Sequence, residues 1–341
     1  MSAPIQRSIG TEPLDRLVRH LRCPLTIIRE GRELELKLEG GQLISPAGHR
    51  YPIKDDVPDL RPLHPGVELN PDDNYAFIHS RQSQYEPAPS KAGLKKLQET
   101  CGLRPDMVEQ KRVLVAGSAM GTEVRMLCEA GCKEVIGLDY AGHIRTLSGE
   151  LKFDGTDVMY VQGDLLSLPF PARYFDLVFS SGVVQHTRSP ELGFRKICRV
   201  TKPGGWIVLA VAYPDNPTHR NVTSVRLKRQ FHRLPPQQAE AQIKRRLRRR
   251  IFFEKLRLAR LDYMLTGEFF PGQGQDFLTR LGMALDTYYP PYRHAIDPNE
   301  IRRWFWELGM SPTLPRNVAP YFHDTPESAF GSTKSYIARR P

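Results

Sequence analysis

The chain has 341 residues, 40% of them hydrophobic, which is enough for one large domain with a smaller one beside it. No apolar run approaches membrane-spanning length, the N-terminus lacks a signal-peptide pattern, and five cysteines (Cys23, Cys101, Cys128, Cys132, Cys198) stand without paired spacing; a cytoplasmic protein is expected and a disulfide framework is not. The formal net charge of +11 raises a nucleic-acid partner, but most of the excess is concentrated between Arg226 and Arg260 rather than dispersed.

In chain order, a short helix is expected over residues 13–21. Alternation over 33–38 and the Gly40-Gly41 pair then indicate a small antiparallel sheet. Residues 63–90 are rich in proline and polar side chains and read as a linker, in which Tyr75, Phe77 and Tyr85 stand out. A helix over 92–101 precedes the most informative stretch, residues 113–140. There an apolar run, 113–116, ends in the small-residue turn Gly117-Ser118-Ala119-Met120-Gly121. Val124, Leu127 and Cys128 follow at helical spacing, and a second apolar run, 135–138, ends on Asp139. Strand, glycine turn, helix and strand with a carboxylate at the second tip is the unit that binds a nucleoside-like ligand at the carboxyl edge of a parallel sheet. Small residues let backbone approach the ligand, and Asp139 can accept hydrogen bonds from a ribose diol.

Beyond Asp139 the expected order is a helix over 147–153, a strand over 158–161 leading to Gly163-Asp164-Leu165, and a strand over 174–182 leading to Val183-Val184-Gln185-His186-Thr187. A helix over 191–200, a turn at Lys202-Pro203-Gly204-Gly205 and a strand over 206–212 come next. Residues 214–298 separate this strand from a final helix over 296–310 and two last strands, over 310–318 and 334–339. Within that insertion Ile243, Leu247 and Ile251, then Phe252, Leu256, Ala259 and Tyr263, recur every three or four residues among arginines, marking a basic amphipathic helix or pair. It can serve as a lid over a substrate pocket, lie on an anionic membrane surface, or hold nucleic-acid phosphates; the lid ranks first, and the run lacks interleaved aromatics and base-reading groups.

The ordered series G-x-A-x-G, Asp139, G-D-x-x-x-L-P-F, Y-F-D-L-V-F-S-S, V-V-Q-H and K-P-G-G-W resembles the class I S-adenosylmethionine-dependent methyltransferases over residues 111–213. Two departures bear on cofactor affinity and on which group holds the methionine ammonium: Val115 stands where the family carries an acid, and Ala119 where it carries its middle glycine. The resemblance implies an α/β, Rossmann-like seven-stranded sheet with S-adenosyl-L-methionine as cofactor. It implies that Gly117, Ser118, Ala119 and Gly121 approach the ligand, with Asp139 on the ribose and Tyr140 beside it. Asp164 and the backbone of Leu165 would meet the adenine, Ser181 would face the methionine end, and Tyr85 would cap the pocket from the preceding segment. His186, next to the expected methyl donor, is either a general base or a residue that fixes its loop. Residues 23–60 resemble the Trm112-like domain, a zinc-ribbon relative, through Cys23-Pro24 and Tyr51-Pro52-Ile53-Lys54-Asp55-Asp56-Val57-Pro58-Asp59-Leu60. Cys23 and His49 could supply at most two of the four ligands zinc needs, so no metal is expected. The divisions are a Trm112-like, mostly-β module (1–62), a linker and helix (63–105), a cofactor-binding core (106–215), a basic helical insertion (216–298) and the closing helix and strands (299–341). The expected reaction is O- or N-methylation of a small-molecule, glycan or natural-product acceptor; an RNA methyltransferase and a catalytically silent partner subunit are the alternatives.

Overall fold

The computed structural model describes residues 12–62, 71–85, 93–148, 153, 155–212, 222–270, 273, 275–313, 316–317 and 333–341. Helices α1 (Glu12–Val18) and α2 (Pro24–Glu30) lead into strands β1 (Lys37–Glu39), β2 (Gln42–Ile44), β3 (Arg50–Lys54) and β4 (Val57–Pro58), which form an antiparallel sheet in chain order. Proline at the start of α2 and Gly31 in the left-handed region at its end fix the limits of that helix. Cys23, Thr26, Ser45 and His49 all take part in hydrogen bonds within this region. The Cys23 thiol shares a hydrogen bond with the Tyr51 hydroxyl (3.2 Å), the Thr26 hydroxyl donates to the carbonyls of Cys23 and Arg32, and Ser45 Oγ accepts from the His49 backbone.

The expected boundary at residue 62 is not one of packing. Leu17, Leu21, Tyr51 and Leu60 share one core with Leu114, Ile136 and Val178 of the main sheet. Asp59 bridges Gln162 in parallel, and the Leu60 and Arg22 amides donate to the carbonyls of Gln162 and Pro169, both at 2.8 Å. The module therefore keeps its own sheet but packs and bonds against the β7 edge of the large one.

The segment expected to be a linker contains a helix, α3 (Pro71–Tyr85). Tyr75, Phe77 and Ile78 give it apolar side chains to pack, which the surrounding prolines and polar residues masked. Next come α4 (Gly93–Cys101), α5 (Pro105–Val108), β5 (Arg112–Ala116), α6 (Thr122–Glu129), β6 (Glu134–Asp139), β7 (Asp157–Gln162), β8 (Phe175–Ser181), α7 (Pro190–Val200) and β9 (Thr201–Ala212). Between β6 and β7 the helical turn is 3-10, at Gly142–Leu147, earlier than expected; residues 149–152 lie outside the described residues and Phe153 makes a bridge to Thr156. Lys202 to Gly205 is not a turn before the strand but a bulge inside it. Phe175 pairs with Thr201 and Leu177 already with Trp206, the surplus residues bowing out through Gly204 at φ +76°.

Among the described residues the insertion holds four helices, α8 (Val222–Phe231), α9 (Pro236–Lys255), α10 (Ala259–Thr266) and α11 (Phe277–Tyr288), followed by α12 (Pro298–Glu307), β10 (Arg316–Asn317) and β11 (Thr333–Arg339). The main sheet runs β10-β11-β9-β8-β5-β6-β7, with β5 to β9 parallel and β11 antiparallel to β9. Six of its strands have five residues or more; β10 is a two-residue pairing with β11. Period-two alternation sends Val113 and Val115 into the layer of α4 and α6, and Leu114 and Ala116 into the layer of α7, α12 and the N-terminal module. A third core joins α3 to the insertion through Ile78, Phe231, Ile243, Leu247, Leu281 and Tyr288. No described helix is long and apolar enough to cross a membrane.

Candidate functional site

Chain order reverses between β5 and β8, and at such a point the loops leaving two neighbouring strands diverge and open a crevice at their carboxyl ends. The glycine turn lies there. The amides of Gly117 and Ser118 both donate to the Leu138 carbonyl, at 2.7 and 3.0 Å, so the turn is laced to the neighbouring strand. Asp139 completes the lacing: Oδ2 accepts from the Ala119 amide and Oδ1 from the Ala141 amide, each at 2.9 Å. A carboxylate oxygen can take a second donor, so both retain capacity for a diol.

Three residues of the turn are left-handed: Gly117 at φ +87°, Ala119 at +41° and Gly121 at +76°. Gly117 is the most constrained, because a β-carbon there would lie 2.1 Å from Val183 Cγ2. Ala119 keeps the conformation a glycine would take freely, at a steric cost. Beneath the turn, the fully buried hydroxyls of Ser118 and Ser180 have no hydrogen-bond partner among the described residues. A left-handed backbone turn laced to a carboxylate with spare acceptor capacity suits a small polar nucleoside, while the space beside Gly117 is taken by Val183.

Along the crevice, the Tyr140 ring lies under the Arg61 guanidinium (5.3 Å) and its carbonyl accepts from Gln162 Nε2 (3.0 Å). Arg61 is held by a two-pronged pair with Asp59, so the N-terminal module reaches the rim. Guanidinium pairing outweighs the opposing effect of burial and holds the Asp59 carboxyl below the usual range. Asp164, past β7, turns one oxygen to the Leu166 amide (2.8 Å), capping a 3-10 turn, and Leu165 is buried beside it. Ser181 closes β8. Tyr85 ends α3, and its side chain lies outside the described residues.

The second wall is built of side chains. His186 Nδ1 lies 3.0 Å from the Tyr292 carbonyl, which can only accept, so Nδ1 carries the proton and Nε2 the lone pair. Burial pushes the His186 pKa down to about 4, against the opposing pull of Asp286. The Tyr75 hydroxyl donates to the His186 carbonyl (3.3 Å), and the two rings meet edge to face. Arg293, almost wholly buried, donates to the Asp286 carbonyl at 2.7 Å, and the His294 amide donates to the Gln185 carbonyl at 2.8 Å. Burial, reinforced by Arg293, brings Lys228 of α8 down to about 7.

The carboxyl ends of β8, β5, β6 and β7 thus bring together Gly117, Ser118, Ala119, Gly121, Asp139, Tyr140, Asp164, Leu165 and Ser181, with His186 five residues past β8. Tyr75, noted in the sequence beside Tyr85, stands against His186, and sequence reasoning did not single out Asp286, Arg293, Lys228 or Glu123. Glu123, two residues past Gly121, is half-buried, and burial raises its pKa to about 7. Its place directly after the glycine turn was the available signal; nothing local marks Asp286 or Lys228.

A family model described as a methyltransferase domain matches residues 114–209. A sterol 24-C-methyltransferase of Yarrowia lipolytica is 30% identical over 130 residues, 36% of this chain and 33% of that protein. A demethylmenaquinone methyltransferase of Renibacterium salmoninarum is 30% identical over 103 residues, 30% of this chain and 42% of that one. The chain thus spans about a third of the length of the first curated relatives it matches. Among solved structures, an S-adenosylmethionine-dependent methyltransferase from Mesorhizobium loti covers 74% of this chain and 98% of its own, at 16% identity and a TM-score of 0.45.

Proposed function

We propose that this chain is a class I S-adenosylmethionine-dependent methyltransferase acting on a small-molecule acceptor through an oxygen or nitrogen nucleophile. The observation that carries the reading is the Asp139 clamp: one carboxylate at the tip of β6 bonds the amide of Ala119 in the glycine turn and that of Ala141, beside the point where strand order reverses. The match of residues 114–209 to a methyltransferase domain supports it.

In this reading the cofactor is S-adenosyl-L-methionine, which supplies an electrophilic methyl on a sulfonium. The backbone of Gly117 to Gly121 approaches it, Asp139 accepts from the sugar hydroxyls, and Tyr140, Asp164 and Leu165 face the purine. Ser181 lies toward the methionine end. His186 is neutral at pH 7, with Nε2 free to accept the acceptor's proton, while Tyr75 and Tyr292 fix its loop and ring. Positioning supplies much of the rate in such a displacement, so His186 assists rather than creates it. The relatives named for sterols and demethylmenaquinone favour a small molecule over RNA as acceptor. The N-terminal module, Trm112-like in sequence, acts as a built-in scaffold for the sheet edge and the Tyr140 rim, and five free, buried cysteines suit a reducing cytoplasm.

Calorimetric titration with S-adenosylhomocysteine tests the assignment. Wild-type protein should bind, and Asp139→Ala should bind roughly 30-fold or more weaker, since hydrogen bonds to a charged group contribute about 1.5–3 kcal/mol each. No heat at high protein concentration, or equal affinity in the variant, would remove the cofactor from this crevice.

A further inference from the structure

The insertion contains a helix hairpin whose outer face contradicts the usual economy of a water-soluble surface. Between residues 236 and 270 the acids are Glu240, Glu254, Asp262 and Glu268, and all four are drawn inward into ion pairs. Glu240 meets Arg81 and Lys244; Glu254 meets Arg250 and Arg280; Asp262 meets Arg249 and Arg250; Glu268 meets Arg246 and Arg249. The exposed charges over the same stretch are cations only: Arg245, Arg248, Lys255, Arg257 and Arg260.

The apolar side chains do the reverse. Of the twelve large hydrophobic residues exposed among the described residues, seven fall between 252 and 265. Phe252, Leu256 and Leu258 crowd the tip of the hairpin. Leu261, Met264 and Leu265 stand at i, i+3 and i+4 on α10, the spacing that normally turns toward a core, yet Met264 is 80% and Leu265 70% exposed. Beside them, Arg260, Tyr263, Met264 and Phe269 wall an open, mostly apolar cleft of about 590 Å³.

We propose that this hairpin docks on an anionic lipid surface, with the apolar stripe of α10 and the hairpin tip entering the acyl boundary and the flanking cations meeting lipid headgroups. Charge complementarity selects this occupant. A cationic rim around an apolar stripe with its acids withdrawn fits a negative bilayer. A second copy would set two cationic rims against each other, and a nucleic acid gains nothing from Met264 and Leu265. Patches of this kind mark interaction sites and are rare on monomeric proteins. Granting the methyltransferase reading, α8 and α11, which pack with α9 in one core, also carry Lys228 and Asp286 beside His186, so the docking face and that wall belong to one packed unit.

Sedimentation of the full chain with vesicles tests the docking without any assay of activity. Binding to vesicles of phosphatidylcholine with 30% phosphatidylserine should exceed binding to phosphatidylcholine alone at least tenfold, and should fall as salt is raised. Met264→Glu with Leu265→Glu should lose at least tenfold on the anionic vesicles; Arg257→Glu with Arg260→Glu should lose the preference for anionic lipid. Circular dichroism and S-adenosylhomocysteine affinity should stay at wild-type values in both, so a failed methyltransferase reading is seen separately. Absence of binding to either vesicle, or binding indifferent to the Met264 and Leu265 changes, overturns the proposal. So does a concentration-dependent dimer that the same pair abolishes, or RNA binding that they weaken equally.

Discussion

The two walls of the crevice are made differently. The wall formed by β5 and β6 is main chain: amides of Gly117, Ser118, Ala119 and Ala141 bonded to the Leu138 carbonyl and the Asp139 carboxylate. The facing wall is side chain: His186, Tyr75, Asp286, Arg293 and Lys228, delivered by a loop, by α3 and by the insertion. Backbone geometry can recognise what every member of a fold shares, because it depends on turn shape. Side chains borrowed from an insertion can be exchanged without touching the sheet, and they set what is particular to one chain. On the proposed reading, cofactor and acceptor meet separable parts of this molecule.

The largest blow to that division comes at Gly117. Alanine there sets a β-carbon 2.1 Å from Val183 Cγ2 at φ +87°, so either the turn or the loop bearing Val183 must move. Gly117→Ala should lose S-adenosylhomocysteine affinity at least 100-fold in calorimetry. Pairing it with Val183→Ala should recover only part, because the left-handed backbone remains strained. Unchanged affinity in Gly117→Ala would mean that the main-chain wall is not where the nucleoside lies.

The same division explains what could be read from sequence. Short apolar runs ending in Gly117, Asp139, Asp164 and Ser181 announce strand tips locally, so the succession of the parallel strands along the chain is legible in the sequence, and with it the positions of these residues at strand ends. The helix α3 was not. Its apolar residues Tyr75, Phe77 and Ile78 sit among polar neighbours, and the surface they pack on comes from residues about 150 to 210 positions later, such as Phe231 and Leu285. Nor was the bulge at Lys202 to Gly205 legible: Pro203-Gly204-Gly205 is ordinary turn chemistry, and only pairing with β8 on one side and β11 on the other holds it inside a strand. The arginines of α9 read as a solvated basic face because two of their partners, Asp262 on α10 and Glu268 just past it, lie beyond the helix, and only Glu254 is on it.

A smaller effect, confined to the side-chain wall, is expected at His186. His186→Gln should leave S-adenosylhomocysteine affinity unchanged and lower kcat by roughly 10²-fold or more if the imidazole accepts a proton. Its pH behaviour separates base from prop. The folded pKa is depressed to about 4 from an ordinary 6.5, so between those values the unfolded chain binds a proton that the native one does not. Stability from this group is fully present above pH 6.5 and is lost as pH falls through 6.5 toward 4, by about 2–3 kcal/mol. Denaturant titrations at pH 5 and 7 should show that loss in wild type and not in His186→Gln. The acid limb of kcat should fall near pH 4 to 5, and a limb near 6.5 would place a different group in the role.

The mildest change bears on whether the main-chain wall tolerates the alanine it carries. Ala119 holds φ +41° with its amide on Asp139 Oδ2. Left-handed backbone costs a residue with a β-carbon about 1–2 kcal/mol, and glycine's extra freedom in the unfolded chain takes back about 0.4–1 kcal/mol. Ala119→Gly should therefore raise stability by about 0–1.6 kcal/mol in denaturant titration, with S-adenosylhomocysteine bound at least as tightly. A loss of stability would give the Ala119 methyl a packing contact worth more than its strain, and the β5–β6 wall would then depend on a side chain after all, which is the one result that would blur the two walls into one.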